Sequence, residues 1–406
     1  MPRWRFVAAP IRAVLAGIAA LVLIAACASA GVPTVSRTGP SPSPSTAATA
    51  SPSGPSSPSN LPTPGVVPPV QVLCPSPVAS GQTLALVNVP GTGAVAAVRD
   101  VTDISRPVTR CTIYGGSNFR FRNATHVSYM VYETSNLGSP GALYLADLQT
   151  GTSSLVLSFS YGGYASWVYN WSSDGHSLTY LSSDASGVKW HLQAGGFDRV
   201  LSDHGEVRPR GVNLDVDDAM VGFSADGAYV AVAETFTAGN TPQVQVFQIS
   251  DGKLVYSRME ATMAAWVGSG AKLYFRTTTG LQSWSPGGGE QSNAQGPKWV
   301  HPRASADGAH IVFTVVEPSG NHRMSVLDAF TGAISPVVQG ARVRPEFLTA
   351  HLVWAVEENE CTPNTCGMGG PPLSGNTYIY DIRTRDEGRS ILTQVFDSWP
   401  HVAGQS

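Results

Sequence analysis

Of the 406 residues only 13% are charged, while Gly and Pro number 42 and 30, a turn-rich balance that excludes a coiled coil or a helical bundle. All 28 acidic residues and all but four of the 25 Lys and Arg lie beyond residue 70, so that region carries a net charge of −7. It lacks the clustered Lys and Arg that nucleic-acid phosphates require, and no nucleic-acid partner is expected.

Met1 to Arg12 carries Arg3, Arg5 and Arg12, and an uncharged apolar run from Val14 to Ala26 follows. A run of 13 residues suits a signal peptide and falls short of the roughly 20 that span a bilayer. It ends in Ile24-Ala25-Ala26-Cys27, which resembles the lipobox of bacterial lipoprotein precursors. The resemblance implies a diacylglycerol on the Cys27 thiol, cleavage just before it, and a protein held to a membrane facing outside the cytoplasm. The alternatives are an ordinary signal peptide cut near Ala28-Ser29-Ala30, or an uncleaved anchor.

Residues 1–26 are therefore read as a lipoprotein signal peptide, and 27–70 as the lipidated cysteine plus a Pro/Ser/Thr-rich linker. The linker, with runs such as Gly39-Pro40-Ser41-Pro42-Ser43-Pro44, has too few large apolar side chains to offset the entropy of ordering. It is expected to be a disordered, extended spacer. Four cysteines remain, Cys74, Cys111, Cys361 and Cys366, an even number that in an exported chain suggests two disulfides. Cys361 and Cys366 flank Thr-Pro-Asn-Thr and would close a small loop, leaving Cys74 for Cys111. A zinc site is the alternative, but Cys-x-x-Cys spacing is missing.

Residues 71–406 are expected to form the folded domain, and repetition is its most informative feature. Trp171-Ser172-Ser173-Asp174-Gly175, Phe223-Ser224-Ala225-Asp226-Gly227 and Ala304-Ser305-Ala306-Asp307-Gly308 each precede an alternating apolar strand. Trp266-Val267-Gly268-Ser269-Gly270 is a looser copy, and weaker ones begin near Ala79, Phe121 and Phe347. Asp174-Gly175, Asp226-Gly227 and Asp307-Gly308 read as structural turn residues, Gly taking a positive φ and Asp bonding the turn backbone. With Leu84, Val127, Leu178, Val230, Leu273, Ile311 and Leu352 as equivalent positions, the spacings are 43, 51, 52, 43, 38 and 41. Periods of about 40–50 with about four strands each are those of propeller blades. The fold class is all-β, a single β-propeller of seven blades, or six if one weak copy is misread. A β-sandwich is the competing reading. The first unit lacks an inner strand, and the C-terminal Val395–Val402 segment is expected to supply it and close the ring.

At these turns the sequence resembles TolB-like and WD-like propeller repeats, whose pattern is Trp-Ser-Pro-Asp-Gly before an apolar strand. Here Ser173, Ala225 and Ala306 stand where that pattern has Pro. The resemblance covers roughly residues 75–402 and implies a fold and a surface binding role, with no catalytic residue carried over.

The sequence contains no Gly-x-Ser-x-Gly elbow, phosphate loop or His-Glu-x-x-His, and no catalytic residue, metal site or cofactor is expected. The acidic run Asn213–Asp218 lacks EF-hand spacing and reads as a solvated loop. His301 and His401 precede or lie on inner strands and could face a central channel. The aromatic segment Tyr161–Trp171 has Trp167, Tyr169 and Trp171 on one strand face, while Tyr161 and Tyr164, in a Gly-rich loop, are the ligand-binding candidates. The leading expectation is a membrane-anchored, non-catalytic binding or scaffold propeller for a protein or cell-envelope glycan. The alternatives are a lyase-like enzyme working at the channel, or a small-molecule or metal sensor. Convergent His, Glu and Arg at the channel would favour the enzyme, and an uncharged aromatic rim the binding module.

Overall fold

Each Ser-x-Asp-Gly segment folds as the turn of a first hairpin, and each hairpin begins a four-stranded sheet. The computed structural model describes residues 67–90, 95–134, 139–159, 168–184, 187–204, 220–234, 241–294, 298–317, 321–337, 340–359 and 373–399. All fall within one compact unit, Leu61–Ser406.

In chain order, the first sheet opens with β1 (Val72–Leu73), β2 (Leu84–Asn88), β3 (Ala96–Asp100) and β4 (Val108–Ile113). The second holds β5 (Ser117–Asn123), β6 (His126–Tyr132), β7 (Gly141–Asp147) and β8 (Ser153–Phe159). The third holds β9 (Tyr169–Trp171), β10 (Leu178–Asp184), β11 (Gly187–Ala194) and β12 (Phe197–Asp203). The fourth follows with β13 (Met220–Phe223), β14 (Tyr229–Glu234), β15 (Gln243–Gln248) and β16 (Leu254–Met259). In the fifth are β17 (Ala261–Val267), β18 (Lys272–Thr277), β19 (Gly280–Ser285) and β20 (Gly289–Ala294). The sixth has β21 (Lys298–Ala304), β22 (His310–Val316), β23 (His322–Asp328) and β24 (Ile334–Pro336). The seventh has β25 (Arg342–Phe347), β26 (Leu352–Glu358), β27 (Leu373–Asp381) and β28 (Glu387–Arg389). The last strand, β29 (Val395–Trp399), returns to pair with β2, giving the first sheet the order β1-β4-β3-β2-β29.

The fold is thus a seven-bladed, all-β propeller, closed as expected by the C-terminal strand. Six of the seven positions aligned by sequence are true equivalents, each opposite the end of an inner strand. Val127 faces Phe121, Leu178 faces Trp171, and Leu84 faces Trp399. The seventh is shifted by one residue, since Phe347 pairs with Val353 rather than Leu352. The physical reason is burial: Val353 is wholly buried and Leu352 only partly so.

The core lies between blades. Met263 and Tyr274 of the fifth blade pack with Trp299, Ile311 and Phe313 of the sixth and Phe347 and Val353 of the seventh. Several polar groups buried there find partners across the seams. Trp266 Nε1 donates to Gly222 O at 2.9 Å, and Trp171 Nε1 to Ser128 Oγ at 2.9 Å. Wholly buried Glu234 accepts from Trp190 Nε1 and lies 2.9 Å from His204 Nε2, which joins the third and fourth blades. His322 and Glu358, 2.9 Å apart, join the sixth and seventh.

The turns between first and second strands show why Asp-Gly recurs. Asp174, Asp226 and Asp307 each accept a Ser hydroxyl two residues back, at 2.6, 2.6 and 2.5 Å, and a backbone N–H two residues on, at 2.9, 3.0 and 3.0 Å. Gly175, Gly227 and Gly308 have φ of 70°, 66° and 67°, which costs an L-residue about 1–2 kcal/mol. At Gly308 a side chain is also sterically forbidden, because a Cβ would lie 2.5 Å from Gly268 N of the preceding blade.

Candidate ligand site at the channel mouth

Four inner strands carry the same defect. The register slips between Ser117 and Arg120, Thr262 and Ala265, Val300 and Arg303, and Val343 and Glu346. At each slip a non-glycine residue takes a left-handed conformation: Asn118 (φ 49°), Met263 (54°), His301 (52°) and Arg344 (53°). Such a bulge residue is ordinarily glycine. Holding another residue there costs about 1–3 kcal/mol, and such strain concentrates at functional sites.

Three of these four residues line one cavity. It has a volume of about 480 Å³ and opens among β21, β25, β29 and β5, the inner strands of four successive blades. His301 and Arg303 come from β21, Arg344 and Glu346 from β25, Asn118 and Arg120 from β5, and Phe396 from β29. Pro302 and Pro345 lie inside the bulges, where no ladder hydrogen bond is made and the missing N–H costs nothing.

The charges are ordered by depth. Arg303 Nε donates to Glu346 Oε2 at 2.9 Å, and Arg120 Nη1 to the Phe396 carbonyl at 3.1 Å. Asp397, 2% exposed, accepts the Phe121 N–H at 2.7 Å. Burial pushes the Glu346 carboxyl above its ordinary value; Arg303 opposes the rise and Asp397 adds to it. Arg344 alone of this set is exposed, and its guanidinium has no hydrogen-bond or ion-pair partner among the described residues. The floor is therefore a nearly neutralised cation–carboxylate cluster, and what meets solvent is a positive charge. Val95, Phe119, Pro345 and Phe396 line the same cavity.

Of these residues His301 is anticipated from the sequence, and Arg120, Arg303, Arg344 and Glu346 are not. A signal was present. Val300-His301-Pro302-Arg303 and Val343-Arg344-Pro345-Glu346 repeat a Val-x-Pro-charged pattern one blade apart, but Pro within a strand reads as a breaker.

The other candidates lie elsewhere. Asp174, Gly175, Asp226, Gly227, Asp307 and Gly308 sit at the opposite ends of the inner strands from this cavity. Cys74 and Cys111 form a disulfide. Cys27, Tyr161, Tyr164, Cys361, Cys366, Asn213–Asp218 and His401 fall outside the described residues. Among the described residues no group of three or more His, Cys, Asp or Glu is placed to hold a metal ion.

Fold and cavity define a seven-bladed propeller with a charged channel mouth. No protein-family model and no curated protein sequence matches the chain. Solved structures do. A prolyl endopeptidase structure is 12% identical with a TM-score of 0.51, and the match covers 80% of this chain and 50% of that one. TolB from Acinetobacter baumannii is 18% identical with a TM-score of 0.45, covering 79% of this chain and 66% of TolB. Oligogalacturonate lyase from Vibrio parahaemolyticus is 8% identical with a TM-score of 0.48, covering 79% and 86%. The chain spans half of the prolyl endopeptidase and just under two thirds of TolB. At these identities the likeness is one of fold, and no activity, substrate or partner is carried across.

Proposed function

We propose that this chain is an extracytoplasmic binding propeller, tethered to the membrane through an acylated Cys27, whose channel mouth receives an acidic segment of a partner protein. One observation carries the reading: Arg344 is strained, exposed and unpartnered within the described residues, beside Arg303 and Arg120. A strained cation is retained against its cost when something binds it. Apolar Val95, Phe119, Pro345 and Phe396 line the cavity along with the cations, which suits a peptide that carries both acidic and apolar side chains.

A second reading, catalysis at the same mouth, is favoured by the convergence of His301, Glu346 and the arginines on one cavity. Against it, Glu346 and Asp397 are both buried and already hydrogen-bonded, so the group a ligand meets first is a cation rather than an acid or base.

The test uses the full chain in detergent and a fluorescein-labelled peptide of alternating Glu and Leu, read by polarisation. Wild type binds it, Arg344→Glu weakens binding at least about tenfold, and added salt weakens it further. Equal binding by both proteins overturns the proposal. Arg344→Gly sharpens it: strain relief raises the melting temperature while the peptide is lost. Catalysis gains if Glu346→Gln abolishes turnover of a substrate whose binding it leaves intact.

A further inference from the structure

At the other end of the molecule, where the second and third blades meet, a groove of about 370 Å³ is shaped by the Asp174-Gly175-His176 turn, the Gly195-Gly196 turn and Arg122. Phe197 stands on its rim with 67% of its surface exposed, although nothing in the blade's packing requires a phenyl ring there. Asp198 follows it. The hydroxyl of Tyr180 donates to Asp198 Oδ2 at 2.7 Å, and His191 Nδ1 lies 3.2 Å from Oδ1. Tyr180 and His191 are themselves stacked at 4.8 Å, so the carboxylate is fixed in direction while 43% of its side chain remains open to solvent.

The remaining polar groups of the groove have unused capacity. Arg122 spends Nε on the Gly175 carbonyl at 2.8 Å and lays its guanidinium over Trp171 at 4.8 Å, leaving both Nη groups without a hydrogen bond among the described residues. The Gln193 amide and the exposed His176 ring likewise carry no side-chain hydrogen bond there. Donors and acceptors are therefore mixed around one exposed ring.

That mixture selects a ligand class. A charged ligand of either sign meets both Arg122 and Asp198, and an apolar ligand strips water from Arg122, Gln193 and the open side of Asp198 without replacing its hydrogen bonds. A pyranose meets both needs, with hydroxyls that donate and accept along its edge and a C–H face that covers an aromatic ring. We propose that the groove around Phe197 and Asp198 is a carbohydrate-binding site for a pyranose unit of a glycan. It is independent of the channel mouth and lies at the opposite end of the blades. The groove holds one or two sugar rings, a size at which weak, avidity-assisted binding is expected.

The experiment is saturation-transfer NMR on the full chain in detergent, with maltotriose, mannotriose and chitotriose as probes. At least one trisaccharide receives saturation from wild type, and Phe197→Ala weakens its binding at least about tenfold. The melting temperature is unchanged, because the ring is exposed. Phe330→Ala, which removes a phenyl ring 80% exposed elsewhere on the surface, leaves sugar binding intact, as does Arg344→Glu. Asp198→Asn weakens binding without unfolding the blade. Three results overturn the proposal: no transfer to any of the three sugars, equal affinity in wild type and Phe197→Ala, or an equal loss in Phe330→Ala. The Arg344→Glu control separates this site from the mouth, since loss of peptide with retained sugar, or the reverse, locates each failure.

Discussion

The two ends of the inner strands are built in opposite ways. At the turn end, Ser172 and Asp174, Ser224 and Asp226, and Ser305 and Asp307 repeat one hydrogen-bonded unit, with glycine at each left-handed position. At the mouth end the left-handed positions hold Asn118, Met263, His301 and Arg344, and the residues two further on are as different as Arg120, Ala265, Arg303 and Glu346. The first end minimises strain and repeats itself; the second keeps strain and diversifies. Regularity marks where the blades are held, and irregularity marks the mouth at which we place the peptide ligand.

The largest effect expected is at the regular end. Gly308→Ala adds a backbone clash with Gly268 to the left-handed penalty and should cost about 3 kcal/mol, whereas Gly227→Ala, with open space around it, should cost about 1 kcal/mol. Urea midpoints of the two variants measure the difference, and equal costs would break the view that these turns lock one blade to the next. At the mouth, Arg303→Met strands the Glu346 carboxyl and should cost about 2 kcal/mol. Adding Glu346→Met should restore most of that loss, which a double-mutant cycle reads directly.

The two ends should also answer acid with opposite sign. Burial tends to raise the Asp307 carboxyl, but the Ser305 hydroxyl and the Ala309 N–H outweigh it and hold the group below its ordinary value. Its contribution is therefore complete above the ordinary carboxyl range and is lost as pH falls through the lowered value. Glu346 is raised by burial, so its contribution is full below the ordinary range and is lost as pH rises through the raised value. Relative to wild type, Glu346→Gln should be more stable at neutral pH and equal in acid. Asp307→Asn should be less stable at neutral pH and converge with wild type in strong acid. Denaturation midpoints across pH check both, and parallel curves would erase the contrast.

The smallest effect concerns a turn that breaks its own rule. Gly151, Gly252 and Gly332 occupy the left-handed position after the third strands of three blades, while the seventh has Arg385 at φ 65°. Arg385→Gly should raise stability by up to about 1 kcal/mol without touching ligand binding. A larger gain, or lost peptide binding, would place Arg385 with the strained residues of the mouth.

The legible parts of the sequence were those with local causes. The Asp-Gly turns are stabilised by atoms within five residues, so they leave the same letters in the third, fourth and sixth blades. Closure by Val395–Trp399 was visible because one unit lacked a strand and another segment was left over. One alignment slipped, at Leu352 and Val353, because adjacent apolar residues cannot show which of them faces the core. The mouth was obscure for a different reason. Arg120 and the Phe396 carbonyl it bonds are 276 residues apart, and Arg303 and Glu346 are 43 apart. The bulges that orient them put Pro302 and Pro345 where a strand pattern admits no proline.

The sequence by itself determined a repeating all-β chain that closes on its own last strand, because turn chemistry and apolar alternation act over a few residues and recur. Only the tertiary structure decided which charges share a cavity, which of them is left open to solvent, and which exposed ring stands beside a groove. Those relations exist only after seven blades close into a ring, when residues from both ends of the chain come within hydrogen-bond reach of one another.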